Sequence, residues 1–254
     1  MSQTGTSSDG RQRDDSTVGA ELQSIETAKR YLRTERTELG TEREAFRTFA
    51  DRLSRQRFTA RGGDGGLGAV RSLRRPADGG SVTGEIRRAF RETVMAVDHY
   101  DDIYGESLDE HLRSELGPDI AAVVTSSAAP SPTLRGALLA AVEEAIADRR
   151  ALSDLVEGEW DSLVDARRRL EPLATAARSE TTPSEWTAEL DAVAVDRQRL
   201  IRQRIGSPYL DGHDLCAYLY DDVDDWTYPV LTICASLRAR ASVGDAPSTG
   251  AAVR

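Results

Sequence analysis

Apolar residues recur at three- and four-residue intervals along most of this chain, and the longest such run, from Ser131 to about Leu170, contains no helix breaker. It opens Ser131-Pro132, a side-chain oxygen at the N-cap and a proline at the first helical position, where a missing N–H costs nothing. Leu138, Val142, Ala145 and Ile146 fall on one face, as do Leu152, Val156, Trp160 and Leu163, with Arg, Asp and Glu opposite. The pattern predicts a central scaffold helix. Pro172 then permits a kink or an ending.

Upstream, residues 1–15 are polar and glycine-containing and read as a disordered tail. Ser16 or Thr17 caps a helix over 16–57 whose apolar residues recur every seventh position: Val18, Ile25, Leu32, Leu39, Phe46 and Leu53. Taken as d positions of a coiled coil, they leave Leu22, Lys29, Arg36, Arg43, Ala50 and Arg57 at a, a poor companion seam. Gly40 with Thr41-x-x-Glu44 offers a place to split the helix, yet the register survives across it, so one helix with a weak point is expected. The narrow stripe, with Leu32, Leu39 and Phe46 at its centre, either lies along the rest of the protein or pairs with a second copy.

Residues 58–80 read as a glycine-rich linker. Gly63, Gly65 and Gly68 satisfy G-x-G-x-x-G, but a charged helix precedes them where a dinucleotide fingerprint requires a strand. A helical domain is expected over 81–241. Its first helix begins near Ser81 or Thr83 and carries Ile86, Phe90, Val94 and Val97. Ser107-x-x-Glu110 is a capping box ahead of Leu108, Leu112 and Leu116, Gly117-Pro118 stops that helix, and Ile120–Val124 reads as a short buried helix.

Thr182-Pro183-Ser184-Glu185 combines an N-cap, a proline at N1 and a capping-box glutamate. Trp186, Leu190, Val193 and Leu200 share the inward face of the helix that follows, and Arg197, Arg199, Arg202 and Arg204 crowd its end, where cations suit the dipole. Asp211 is expected to cap a short helix with Leu215, Cys216 and Leu219. Pro229 opens another with Val230, Ile233, Cys234 and Leu237, and 242–254 reads as a disordered tail. No segment alternates as a strand does, so the fold class is all-α: a long, coiled-coil-like N-terminal helix plus a multi-helix bundle.

Composition narrows the setting. The chain has 254 residues and a net charge of −10; Lys29 is its only lysine and asparagine is absent. An acidic, lysine-poor surface suits molar salt, where self-repulsion is screened over a few Å. A GC-rich genome would also favour arginine over lysine. Two cysteines give no disulfide framework and point to a reducing cytoplasm. No apolar run approaches the ~20 residues of a membrane span, and the N-terminus has no secretory h-region.

Two stretches, Arg91-Glu-Thr-Val-Met-Ala-Val-Asp-His-Tyr-Asp-Asp-Ile-Tyr-Gly-Glu-Ser and Tyr218-Leu-Tyr-Asp-Asp-Val-Asp-Asp-Trp-Thr-Tyr-Pro-Val-Leu, resemble motifs of an uncharacterised domain family of halophilic archaea. The resemblance implies a helical, salt-adapted domain. It implies no activity and no catalytic residue.

Candidate chemistry is sparse. Tyr209, Tyr218, Tyr220, Trp226 and Tyr228 cluster beside Asp221, Asp222, Asp224 and Asp225. Such a corner either packs helix ends together or forms a binding surface, since Tyr and Trp supply large contact area with a polar handle. His213-x-x-Cys216, with Cys234 or His99, lacks the paired ligand motifs of structural zinc, and no metal or other cofactor is expected. No nucleophile elbow, Walker loop, H-E-x-x-H or di-iron Glu-x-x-His pair occurs. Arg71, Arg74, Arg75 and Arg197 to Arg204 form local basic patches, but counterion release fades in molar salt and no nucleic-acid motif accompanies them.

The reading that follows is a non-enzymatic interaction or scaffold protein, with a protein partner or a homodimer. Its contacts are Leu32, Leu39 and Phe46 on the first helix, and Tyr220, Asp221, Asp222, Trp226 and Tyr228 at the corner. The alternative is a small regulatory or metal-dependent enzyme using the Asp98–Asp102 and Asp221–Asp225 corners.

Overall fold

A computed structural model describes residues 22–56, 81–126, 132–179, 182–207, 210 and 212–244. The expected tail over 1–15, the linker over 58–80, the cap at Ser131, and Asp211 and Tyr209 lie outside them; the short helix expected to start from Asp211 is capped by Asp214 instead. Among the described residues the chain is helical and has no strand. Helix α1, Gln23–Arg55, is unbroken through Gly40, where an added Cβ would meet nothing within 4 Å. Its spine residues Ile25, Leu32, Leu39, Phe46 and Leu53 are all buried within the chain, none more than 5% exposed. The chain divides into two compact units, Thr37–Ser153 and the remainder, residues up to Arg36 with those from Asp154.

The unit over Thr37–Ser153 holds the C-terminal part of α1, then α2 (Val82–Arg91), a 3₁₀ turn (Val94–Ala96), α3 (Tyr100–Ile103), α4 (Leu108–Leu116), α5 (Pro118–Thr125) and the start of α6 (Pro132–Ala176). The Phe90 ring meets Phe46 and Phe49 edge-on at 6.4 and 5.2 Å, and Ile86, Leu112, Val124, Leu138 and Val142 complete a core that water does not reach. Ser81 caps α2, accepting from the Gly84 N–H at 3.0 Å. The apolar spacing predicted that this helix would carry Val94 and Val97, but it stops at Arg91. Thr93 adopts a non-helical backbone, its hydroxyl donating to the Ala89 carbonyl at 2.7 Å, and the chain turns through the 3₁₀ segment instead. The Ser107–Glu110 capping box is fully formed. Gly117, at φ +86° and ψ 157°, ends α4 and hands the chain to Pro118, the first residue of α5.

A polar network lies inside this unit. The Glu42 carboxylate accepts from Arg149 Nε at 2.7 Å and from the Tyr104 hydroxyl at 2.9 Å, and His99 Nε2 lies 2.9 Å from it. Arg149 forks onto Glu115 at 2.8 and 2.9 Å and lies over the Phe46 ring. His111, almost wholly buried, is held by Glu106 at 2.9 Å and ringed by Phe90, Tyr100 and Tyr104.

The second unit is built from the N-terminal part of α1, the end of α6, then α7 (Pro183–Arg204), α8 (Leu215–Tyr220) and α9 (Pro229–Gly244). Helix α6 continues past Pro172 to Ala176. Thr182 sits at the N-cap of α7 with Pro183 at N1, but its side chain makes no capping bond. Lys29, a charged residue in the poor companion seam of α1, lies 4.9 Å from the centre of the Trp160 ring and pairs with Glu26.

The arginines at the end of α7 do more than face the helix dipole. Arg197 turns inward and is 4% exposed, forking onto the fully buried Glu159 of α6 at 2.5 and 3.0 Å, while Arg204 reaches the same carboxylate at 2.6 Å. Gly158 makes room for this approach, since a Cβ there would lie 3.3 Å from the Arg204 guanidinium. Arg197 also donates to Ser162 Oγ and to Cys216 Sγ, tying α7 to α6 and α8. Burial opposes the Arg197 charge, but Glu159 more than offsets it, and its pKa is raised above the ordinary arginine value.

Candidate interaction surface

The corner between α8 and α9 is positioned by one carboxylate. Asp214, in extended backbone after Gly212 (φ +83°), caps α8 by accepting from the Cys216 and Ala217 N–H groups at 2.8 and 3.1 Å. Its other oxygen accepts from the Tyr228 hydroxyl at 2.8 Å, so one side chain fastens both the start of α8 and the approach to α9. That bond, and then burial, pushes the Tyr228 hydroxyl up to about 12. Ser24 of α1 donates to the Pro229 carbonyl at 3.3 Å.

Aromatic rings build outward from this anchor. Tyr220, the last residue of α8, is fully buried, and its ring meets Trp226 at 5.3 Å and Tyr31 of α1 at 6.2 Å, both edge-on. Its hydroxyl has no hydrogen-bond partner among the described residues, and burial raises its pKa above the ordinary tyrosine value. Tyr31 and Tyr218 are 39% and 41% exposed, two of the few large apolar side chains among the described residues that reach the surface. The Tyr218 hydroxyl donates to Glu35 at 2.9 Å, which fixes its ring to α1. Asp221, Asp222, Asp224 and Asp225 follow on the exposed connection, with Trp226 and Tyr228 half-buried behind them.

Of the residues singled out from sequence, Tyr220, Asp221, Asp222, Trp226 and Tyr228 share this corner. Leu32, Leu39 and Phe46 are 1%, 5% and 0% exposed and belong to the interior. Tyr31 and Glu35 were not anticipated. The available signal was an aromatic ring one residue off the apolar spine, on a face otherwise polar. Cys216 and Cys234 are buried and His213 is exposed, and among the described residues no group of three His, Cys, Asp or Glu side chains can hold a metal ion. Burial pushes the Cys216 thiol up to about 12 and the Cys234 thiol up to about 11. In the Asp98–Asp102 corner, Tyr100 is buried with its hydroxyl on the Glu106 carbonyl, and Asp101 and Asp102 face solvent.

A family profile described as a domain of unknown function (DUF7260) matches residues 23–244. The chain belongs to this family. The match takes in every helix from α1 to the end of α9, so the corner lies within the DUF7260 domain. No curated protein and no solved structure matches the chain. No helix among the described residues is long and apolar enough to cross a membrane.

Proposed function

We propose that this DUF7260 protein is a non-enzymatic helical interaction or scaffold protein, working in the cytoplasm of a salt-adapted cell and meeting a protein partner through the Tyr31–Tyr218–Trp226 corner. The observation that carries this reading is the exposure of Tyr31 and Tyr218 beside half-buried Trp226. Their support is fastened by the Asp214 cap, the Tyr228–Asp214 bond and the Tyr218–Glu35 bond. Exposed aromatics on a rigid base are the composition of interface anchors, because such rings lose little conformational entropy on docking. High salt fits the choice of contact: apolar and stacking contacts persist when long-range charge is screened, and the acidic surface keeps the free protein in solution.

The test is the mass of the native assembly. The chain, isolated from its own cells in ~2 M KCl, conditions that screen charge beyond ~3 Å, is run through size exclusion with light scattering. The expected mass exceeds the 27.7 kDa of one chain, and a Tyr31→Ala/Tyr218→Ala variant of unchanged melting temperature returns to it. A wild-type chain that runs at 27.7 kDa and carries no partner contradicts the reading.

A further inference from the structure

Charge on the α8–α9 side of the corner is one-sided, whereas the α1 side carries Arg30, Arg33 and Arg36 around Tyr31 and Glu35. Between Arg204 and Arg238 the chain has neither lysine nor arginine, yet it has six aspartates, Asp211, Asp214, Asp221, Asp222, Asp224 and Asp225. Asp214 is consumed by the helix cap and by Tyr228. Asp221, Asp222, Asp224 and Asp225 are exposed and enter no ion pair among the described residues. Some carboxylates elsewhere are matched to arginine, as in Arg169 with Glu189 and Asp196, Arg149 with Glu42 and Glu115, and Arg52 with Glu92, and others, such as Asp101, Asp102, Glu143 and Glu144, are exposed and unpaired among the described residues; the 221–225 set adjoins exposed aromatic rings. The four charges follow directly on α8, whose Tyr218 ring is exposed and whose buried Tyr220 ring meets Tyr31 and Trp226, with Trp226 immediately after them.

Resting on the interaction reading above, we infer that the partner presents an arginine-rich peptide segment to this corner. Guanidinium planes stack on Tyr31, Tyr218 and Trp226, and their N–H forks pair with the aspartates of the 221–225 connection. Arginine meets both demands at once, being planar, weakly hydrated and a five-donor fork, whereas an ammonium is a strongly hydrated point charge. No three of these carboxylates are grouped so as to hold a metal ion, and they act as separate charges on the 221–225 connection. A set of separate anions matches a peptide carrying several cations better than it matches one metal ion. Nucleic acid and anionic lipid present phosphates, which cannot pair with these carboxylates.

The test uses two defined probes, fluorescent nonapeptides of alternating glycine and arginine or alternating glycine and lysine, titrated against the full chain by anisotropy from 0.2 to 2 M KCl. The arginine peptide is expected to bind at least about tenfold more tightly than the lysine peptide, and to lose about tenfold on Tyr218→Ala, because stacking of a desolvated guanidinium contributes on that scale. Asp221→Asn, Asp222→Asn, Asp224→Asn and Asp225→Asn together remove four exposed charges without touching the packing and should abolish binding at 0.2 M. The matched control, Asp101→Asn, Asp102→Asn, Glu143→Gln and Glu144→Gln, changes four exposed carboxylates of the other unit and should leave binding intact.

Equal binding of the two peptides, equal loss in the control variant, or no binding of either peptide would overturn the inference. Failure of the broader reading looks different. If the native assembly still depends on Tyr31 and Tyr218 while neither peptide binds, the interaction stands and the arginine-rich partner does not. If the arginine peptide binds at the corner but the native chain is alone, the surface chemistry stands and the cellular interaction does not.

Discussion

Replacing Glu159 by glutamine would test the buried charge cluster of the second unit with almost no change of shape. Both carboxylate oxygens are engaged, one by Arg197 Nη2 at 2.5 Å and the other by Arg197 Nη1 at 3.0 Å and Arg204 Nη1 at 2.6 Å. Glu159 is fully buried and Arg197 is 4% exposed, so Glu159→Gln leaves a guanidinium in the interior with no anion. Stranding one partner of a buried pair costs about 3–5 kcal/mol. The glutamine carbonyl keeps one acceptor, which places the expected loss near ~3 kcal/mol. In a chain of this length that corresponds to a fall of roughly 6–12 °C in Tm.

The paired variant Glu159→Leu/Arg197→Met removes both charges. It should recover to within about 1 kcal/mol of the parent, since a well-packed apolar pair replaces a buried ion pair at little cost. Arg204, with 14% of its side chain already exposed, can turn to solvent. Urea unfolding followed by circular dichroism at 0.2 and 2 M KCl measures all three proteins. Because the cluster is buried, the penalty should survive the higher salt. A loss below about 1 kcal/mol for Glu159→Gln, or a double variant as damaged as the single one, would refute this reasoning.

Other expectations follow from single side chains. Thiol reagent at pH 8 should leave Cys216 and Cys234 unmodified in the folded protein and label both in urea, because burial holds their thiols up to about 12 and about 11. The raised values carry a sign: their contribution to stability is complete below the ordinary thiol value of 9.0 and is lost as pH rises toward 12, so alkaline denaturation should be steeper than in a Cys216→Ala variant. Tyr220→Phe removes a buried hydroxyl without a partner and should be neutral or stabilising in a thermal melt. A loss beyond about 1 kcal/mol would mean that the hydroxyl is bonded after all. Gly117→Ala should cost about 1–3 kcal/mol in urea unfolding through backbone strain alone, since its φ of +86° suits only glycine and a Cβ there meets nothing within 4 Å.

Much of the helical framework was legible because its signals are local. The Ser107–Glu110 box and the prolines at 118, 183 and 229 mark helix starts within one turn, and the seven-residue spine of α1 marks its buried face. What was hidden depends on residues distant in sequence. Arg197 and Glu159 lie 38 residues apart, and nothing in the arginine series from 197 to 204 says which member turns inward. Helix α2 ends at Arg91 although the apolar rhythm continues past it, and Thr93 leaves the helical backbone there. The cap of α8 is Asp214, which directly precedes Leu215, and not the expected Asp211; Gly212, at positive φ, lies two residues before it. At the corner, the rings of Tyr218, Tyr220, Trp226 and Tyr228 announced themselves by proximity in sequence. Tyr31 joins them from almost two hundred residues away, and only its place beside the apolar spine hinted at it.

A photo-activatable residue at position 218, compared with one at position 103, bears most directly on whether this corner is a contact surface. Both sites are exposed, Tyr218 at 41% and Ile103 at 51%, and they belong to different units. After irradiation in native cells, crosslinked peptides are identified by mass and quantified. One defined partner site joined to position 218, absent at position 103 and lost with the four aspartate-to-asparagine changes, is the predicted result. Equal or scattered crosslinking at the two positions, or none at 218, would contradict it.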